Sequence, residues 1–188
     1  MKKLKVISLI ILTVFLCLIV FLRANLKNSD DAYKFEQSVN KSLNNALTDV
    51  TRYDSIENLR YKTLINNKDV KINKLNHDVY IVNYWATWCL PCQVEIPHLK
   101  NIVRIYKNKV KVIGISKDKN VRLVTQYLKQ NKLPYDIVMN SVDIEQNFGP
   151  ITSVPQTLFY DKDYNLIHKK KGYTSLETLT DTVESMLN

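Results

Sequence analysis

Residues 79–92 read VYIVNYWATWCLPC, and this stretch decides the fold. Its first seven residues, Val79–Trp85, are apolar almost throughout, which is typical of a strand covered on both faces of a sheet. Cys89 and Cys92 follow with the spacing C-x-x-C, and Pro91 between them suits the first turn of a helix. The stretch therefore predicts a buried strand, a short loop and a helix that begins at the cysteines.

The position of the two cysteines predicts redox chemistry. At the N-terminus of a helix, Cys89 would face unpaired N–H groups and the positive end of the helix dipole, which stabilise a thiolate over a thiol. Cys92 would lie one turn later on the same face, close enough to attack a mixed disulfide formed on Cys89. We therefore expect Cys89 to be the nucleophile and Cys92 the resolving thiol, with their own disulfide as the redox group and no separate cofactor.

A zinc site is the alternative interpretation of a C-x-x-C pair. Such a site needs two further Cys or His ligands at suitable spacing. His77, His98 and His168 are the three histidines, and they stand alone and far apart in the sequence. Cys17 lies in an apolar N-terminal run, away from the pair. We therefore predict no metal site.

The rest of the chain alternates between strand-like and helical patterns from residue 60 onward, in the order β-β-β-α-β-α-β-α-β-β-α. The predicted strands are residues 60–64, 70–72, 79–85, 110–116, 136–139, 157–161 and 166–170, and the predicted helices are 92–106, 120–131, 143–148 and a last one that ends at 187. Pro97 is expected to interrupt the first of these helices. The order indicates an α/β fold with a central mixed β-sheet flanked by helices.

The N-terminus carries an uncharged run at residues 6–22 behind a lysine-rich head. As a helix this run would be about 26 Å long, at the short end of a membrane span. The run ends in FLRAN at residues 21–25, which makes a poor cleavage site, so an uncleaved transmembrane signal anchor is favoured. A cleaved signal peptide is the alternative. Lys2, Lys3 and Lys5 lie close to the apolar run and favour a cytoplasmic N-terminus with the domain on the periplasmic or other extracytoplasmic side.

These patterns predict three parts of the chain. Residues 1–23 form the membrane anchor, residues 24–57 a linker with an amphipathic helix, and residues 58–188 the α/β domain. The amphipathic helix is expected to be a spacer or to pack on the domain; binding of a partner is the alternative.

The net charge of +9 does not predict nucleic-acid binding. Four of the 27 basic residues, Lys2, Lys3, Lys5 and Arg23, flank the first apolar run, and most of the others are scattered. A nucleic-acid surface would require a basic stripe with interleaved aromatic residues.

Three motifs in order resemble one known family. They are N-Y-W-A-T-W-C-x-P-C-x-x-E-x-P at residues 83–97, Gly114-Ile115-Ser116, and Val154-Pro155-x-Thr157. Together they resemble the thioredoxin superfamily, and within it the membrane-anchored TlpA, ResA and CcmG/DsbE branch, over residues 61–188. The usual Ala-Pro and Gly-Lys before the buried strand are absent, which leaves the detail of the first hairpin open.

The resemblance implies a thioredoxin-like fold in which Pro155 is a cis-proline facing the two cysteines. It implies that the backbone of Val154 pairs with an extended client chain beside Cys89. It also implies that Trp88 and Pro91 contribute to client binding, and that Trp88 packs around the site together with Trp85.

The resemblance further implies an acid–base role for Glu95, three residues after the second cysteine, which would take the proton of Cys92 as that thiol attacks. Asn83 stands where cytosolic thioredoxins keep a buried aspartate. The alternative for Glu95 is an exposed first-turn residue that favours the helix dipole. His98 is expected on the surface, with a contact to substrate as its alternative.

The function that the resemblance implies is an exported, membrane-tethered thiol–disulfide oxidoreductase that reduces disulfides in client proteins. A link to cytochrome c maturation would make apocytochrome c a client, and a thiol-transporting membrane protein would supply the electrons. The alternatives are a disulfide oxidase or isomerase, or a metallochaperone that holds Cu(I) between the same two thiolates.

Overall fold

The computed structural model describes residues 14–20, 34–42, 55–149 and 151–188. The chain divides into two units, Met1–Asp49 and Val50–Asn188. In the first unit, residues 14–20 and 34–42 are helical. Among the described residues, no helix combines the length and the apolar character that a bilayer crossing requires. The remainder of the predicted anchor and of the predicted amphipathic helix lies outside the described residues.

The second unit has the predicted order of strands and helices. Its elements are β1 (Arg60–Lys62), β2 (Asp69–Lys71), β3 (Val79–Trp85), α1 (Leu90–Tyr106), β4 (Val110–Ser116), α2 (Val121–Gln130), β5 (Asp136–Met139), α3 (Val142–Phe148), β6 (Gln156–Asp161), β7 (Leu166–Lys171) and α4 (Leu176–Leu187). The first two strands form a separate hairpin, whose turn contains Asn67 with a φ of 60°.

The five other strands form one mixed sheet in the order β5-β4-β3-β6-β7. β3 runs parallel to β4, and β4 runs parallel to β5, whereas β6 pairs antiparallel with both β3 and β7. The predicted fold class, a mixed sheet between helices, is confirmed. β3 lies at the centre, which explains why all seven of its residues are buried.

The side chains of β3 alternate between two apolar layers. On one face, Ile81 and Trp85 join a buried cluster with residues of α1, α2 and α4. On the other face, Tyr80 and Val82 join a second cluster with the hairpin and α3. Because both faces are covered, the strand has no need for the polar alternation of a half-exposed strand.

The hairpin is attached to the β5 edge of the sheet. The hydroxyl of Tyr61 donates to Asp136 Oδ2 at 2.8 Å, and the Lys111 ammonium pairs with the same oxygen at 2.6 Å. The backbone N–H of Leu64 also donates to the carbonyl of Ile137 at 2.7 Å. These contacts cover part of an edge that would otherwise offer free backbone groups to another strand.

The expected interruption at Pro97 is wrong, because α1 continues through it from Leu90 to Tyr106. A proline inside a helix costs about 3 kcal/mol, since it removes one backbone hydrogen bond. Burial of Ile96, Leu99 and Ile102 against the sheet opposes that cost. Pro97 itself is exposed, so its ring does not disturb the packed face.

Gly114, in the middle of β4, has no space for a side chain. A Cβ atom there would lie 2.7 Å from Ile137 Cδ1 and 3.2 Å from Trp85 Nε1.

We expect Gly114→Ala to lower the free energy of unfolding by about 1–3 kcal/mol, measured by urea denaturation. Ile137→Val removes the colliding methyl group, so the double variant should recover part of that loss. Strictly additive effects of the two substitutions would contradict this explanation.

Candidate active site

The two cysteines lie at the junction between β3 and α1. Cys89 is the N-cap of α1, and its Sγ accepts a hydrogen bond from the backbone N–H of Cys92 at 3.3 Å. The pair is joined by a disulfide, with the two Cα atoms 5.3 Å apart. Both residues are buried, with 5% of Cys89 and 1% of Cys92 exposed. The structure therefore represents the oxidised state, with Cys89 at the predicted helix N-terminus.

Pro155 lies at the same edge of the sheet. The Val154–Pro155 peptide bond is cis, as the resemblance implies. Gln156, the next residue, pairs with Tyr84 across β3 and β6, so Pro155 stands beside the end of β3, where the cysteine loop begins. Val154 is half-buried and packs against the cluster that contains both cysteines.

Apolar side chains around the disulfide are open to solvent. Trp88 is 66% exposed and Leu90 is 73% exposed, and Pro91 is exposed as well. Trp85, by contrast, is buried with its ring 5.3 Å from that of Tyr127. Trp85 thus packs in the cluster that contains both cysteines, as expected, whereas Trp88 lies directly before Cys89 with most of its side chain open to solvent.

Glu95 is a buried carboxyl group one turn after Cys92. Only 1% of it is exposed, so the alternative of an exposed first-turn residue is wrong. Its Oε1 accepts hydrogen bonds from Asn83 Nδ2 at 3.2 Å and from Thr157 Oγ1 at 2.9 Å. Burial raises the pKa of Glu95 to about 7, while the hydroxyl of Thr157 and the nearby backbone of Thr174 favour the ionised form and oppose the rise. A group with this pKa can accept or release a proton near neutral pH.

A polar bracket that the sequence analysis missed holds the loop before Cys89. Buried Asp118 accepts from the backbone N–H of Thr87 at 2.9 Å and from its hydroxyl at 2.6 Å. Ser116 donates to the same carboxylate at 2.8 Å, and Gln93 Nε2 donates to the carbonyl of Thr87 at 2.6 Å. The sequence offers no periodic signal for these contacts; only the strand order could have indicated them, since the parallel neighbours β3 and β4 end at the same edge of the sheet.

The histidines do not gather into a metal site. Within the part of the chain that the structure describes, no group of three or more His, Cys, Asp or Glu residues is placed to hold a metal ion. His98 is half-buried rather than on the open surface, with Nδ1 3.5 Å from the carbonyl of Thr174 and its ring against Tyr173.

Comparison with known proteins identifies the family. The profile of the AhpC/TSA family matches residues 54–169, which is more than half of the chain. The chain belongs to the AhpC/TSA family. The resemblance found in the motifs is thereby confirmed, because this family has the thioredoxin fold.

Its relatives include the thiol–disulfide oxidoreductase ResA of Bacillus thuringiensis subsp. konkukian. The two sequences are 26% identical over 126 residues, which are 66% of this chain and 72% of the relative. The predicted enzyme class, a thiol–disulfide oxidoreductase with a C-x-x-C pair, is confirmed. Enzymes of this class use their own disulfide and require no cofactor.

Solved structures share the fold. A thiol:disulfide interchange protein of the thioredoxin family from Chlorobium tepidum superposes with a TM-score of 0.66 at 24% identity, covering 73% of this chain and 98% of that one. StoA from Bacillus subtilis superposes with a TM-score of 0.57 at 23% identity, covering 65% and 93%. At these identities the likeness concerns the fold alone.

The buried carboxyl group makes stability depend on pH. The pKa of Glu95 is about 7 in the folded protein and 4.5 as a model group, so between these values the folded state binds more protons than the unfolded state. The contribution of Glu95 therefore falls as pH rises, by about 3 kcal/mol across this window. We expect oxidised Glu95→Gln to gain stability relative to oxidised wild type between about pH 4 and about pH 8, measured by urea denaturation. Glu57→Gln, at an exposed position, is the control, and a pH-independent difference for Glu95→Gln would contradict the prediction.

Proposed function

We propose that this protein is an exported, membrane-tethered reductant of disulfides in client proteins, with Cys89 as the nucleophile and Cys92 as the resolving thiol. The observation that carries the proposal is the pair at the start of α1, with apolar surface outside it and a buried carboxyl group one turn behind it. An external surface for the client and an internal proton acceptor are what two consecutive thiol–disulfide exchanges require.

In the first exchange, the reduced protein presents Cys89 as a thiolate. Its Sγ attacks one sulfur of the client disulfide; a bond forms between Cys89 and that sulfur, and the other client sulfur leaves as a thiolate. The N–H of Cys92, which points at Cys89 Sγ, and the dipole of α1 stabilise negative charge on the attacking sulfur.

In the second exchange, Cys92 loses its proton and attacks Cys89 Sγ. The Cys89–Cys92 disulfide forms, the second client sulfur leaves as a thiolate, and two electrons have passed from the pair to the client. Because Cys92 is 1% exposed, water has little access to its proton. Glu95 is buried beside it on the same helix face and serves as the proton acceptor, with a pKa of about 7.

The client binds to the surface next to Cys89. Trp88 and Leu90 offer exposed apolar area, and Pro91 extends it along the first turn of α1. Val154 packs against the buried cluster that contains both cysteines, and its backbone is offered to an extended segment of the client. The surface suits an unfolded or flexible polypeptide that carries a disulfide, and apocytochrome c fits this description.

A membrane protein that transports thiol equivalents would reduce the Cys89–Cys92 disulfide again. Residues 1–23 would anchor the chain, residues 24–57 would link the anchor to the domain at 58–188, and the domain would face the extracytoplasmic side. This arrangement is supported by the uncharged run 6–22 and by the lysines before it.

Variants of the two cysteines test the proposed roles. We expect Cys89→Ser to lower reduction of insulin disulfides to the uncatalysed background, because no nucleophile remains at the helix terminus. Cys92→Ser should accumulate a mixed disulfide between Cys89 and the client, seen by non-reducing electrophoresis and identified by mass spectrometry. Cys17→Ser is the control and should retain full activity, since this cysteine lies outside the redox pair.

The reduction potential of the same protein tests the direction of electron flow. A value near that of thioredoxin, about −270 mV, supports a reductant, whereas a value near −120 mV indicates an oxidant.

In the trapping experiment, a mixed disulfide that accumulates on Cys89→Ser instead of Cys92→Ser would contradict the assignment of the two roles.

Cell fractionation tests the anchor. We expect the full-length chain to remain in the membrane fraction after alkaline extraction, because an apolar helix is held by burial in lipid. A chain that begins at residue 24 should be found in the soluble fraction. If expression of the full-length chain instead gives a product that is shortened at its N-terminus and released from the membrane, the segment is a cleaved signal peptide.

A further inference from the structure

Three buried polar side chains behind the disulfide form a closed ring of hydrogen bonds. Asn83 Nδ2 lies 2.9 Å from Thr157 Oγ1 and 3.2 Å from Glu95 Oε1, and Thr157 Oγ1 lies 2.9 Å from the same Oε1. Asn83 and Thr157 are direct partners across β3 and β6, so the sheet fixes their separation. Glu95 reaches them from α1, and none of the three residues is more than 3% exposed.

The chemistry of these groups sets the direction of every hydrogen bond in the ring. An amide nitrogen has two hydrogens and no acceptor site, so Asn83 Nδ2 donates to both oxygens. The Thr157 hydroxyl accepts one of these bonds and directs its own hydrogen to Glu95 Oε1. Oε1 therefore receives both side-chain donors, while Oε2 makes no direct hydrogen bond among the described residues. The backbone of Thr174 lies near the carboxyl group and also favours its ionised form.

We propose that Asn83 and Thr157 are positioning residues that hold Oε1 of Glu95 as a fixed acceptor and leave Oε2 as the oxygen that exchanges a proton with Cys92. The inference rests on the proposed acid–base role of Glu95 and assigns the two motif residues that this role leaves unexplained. The exchange is balanced: the proton leaves the Cys92 thiol and forms an O–H bond on Oε2, and the sulfur keeps the electron pair with which it attacks.

The ring and the backbone of Thr174 are the groups that favour the charged form of Glu95 against its burial. On its own helix, Cys92 precedes it by one turn and His98 follows by one turn. Tyr135, just before β5, is the titratable group from the other side, and its own pKa is raised by burial and by the charge of Glu95. The strands β3 and β6 present the neutral side chains Asn83 and Thr157 to it.

Removing one hydrogen-bond donor to Glu95 should change the pKa of Glu95 in a known direction. The Thr157 hydroxyl stabilises the ionised carboxylate, so Thr157→Val, which has nearly the same shape, should raise the pKa of Glu95. Asn83→Asp places a second carboxyl group at the position that now lies 3.2 Å from Oε1. Two carboxyl groups so close share a proton, which also raises the apparent pKa of the pair.

The test uses the full-length chain in detergent, with Cys17→Ser in every variant, in its reduced form. It is mixed rapidly with an aromatic disulfide whose thiolate product absorbs visible light. The first thiolate released reports the attack by Cys89, and the second reports resolution by Cys92, so the two steps are measured separately over pH. We expect the rising limb of the rate–pH profile of the second step to move up by about one pH unit in Thr157→Val and in Asn83→Asp.

Three controls make the outcome decisive. Thr157→Ser keeps the hydroxyl and should follow the parent profile, and the first step should keep its profile in Thr157→Val. Glu95→Gln should remove the limb. If Glu95→Gln leaves the limb in place, the proposed role of Glu95 fails. If Glu95→Gln removes the limb but neither Thr157→Val nor Asn83→Asp moves it, the role of Glu95 stands and the positioning by Asn83 and Thr157 is overturned.

Discussion

Burial of β3 on both faces is the constraint on which the site depends. All seven residues of this strand are buried, because helices cover one side of the sheet and the hairpin with α3 covers the other. The chain therefore leaves the interior only at the end of the strand, and there it places Cys89 at the start of α1. The redox pair lies at the boundary between core and solvent because of this path: Cys92 points inward and Trp88 outward.

Asn83 is the polar residue in this apolar strand, and it forms a ring of hydrogen bonds with Glu95 and Thr157. A buried polar group is tolerated when its hydrogen bonds are satisfied, and each of the three groups supplies a partner for the others. The remaining cost falls on the carboxylate, whose charged form is disfavoured by burial. That cost raises its pKa to about 7, so the energetic penalty of the core and the usefulness of the group for proton transfer have the same origin.

Much of the fold and the position of the two cysteines could be predicted from the sequence because they depend on local patterns. The run at residues 79–85 indicates a doubly covered strand, and C-x-P-C indicates a helix start. The continuity of α1 through Pro97 could not be predicted, since it depends on packing of the opposite helix face. The burial of Glu95 depends on Thr157, 62 residues away, and the bracket at Asp118 depends on the pairing of β3 with β4. Such contacts between distant segments leave no periodic signal in the sequence.

The contrast between the two tryptophans gives the protein a built-in optical probe. The sequence has two of them; Trp85 is enclosed in the core against Tyr127, and Trp88 stands in solvent next to the disulfide. A water-soluble quencher will therefore reach one indole and not the other. The accessible fraction of the emission reports on the loop beside Cys89, so occupancy of that surface can be read in the unlabelled chain without an attached dye.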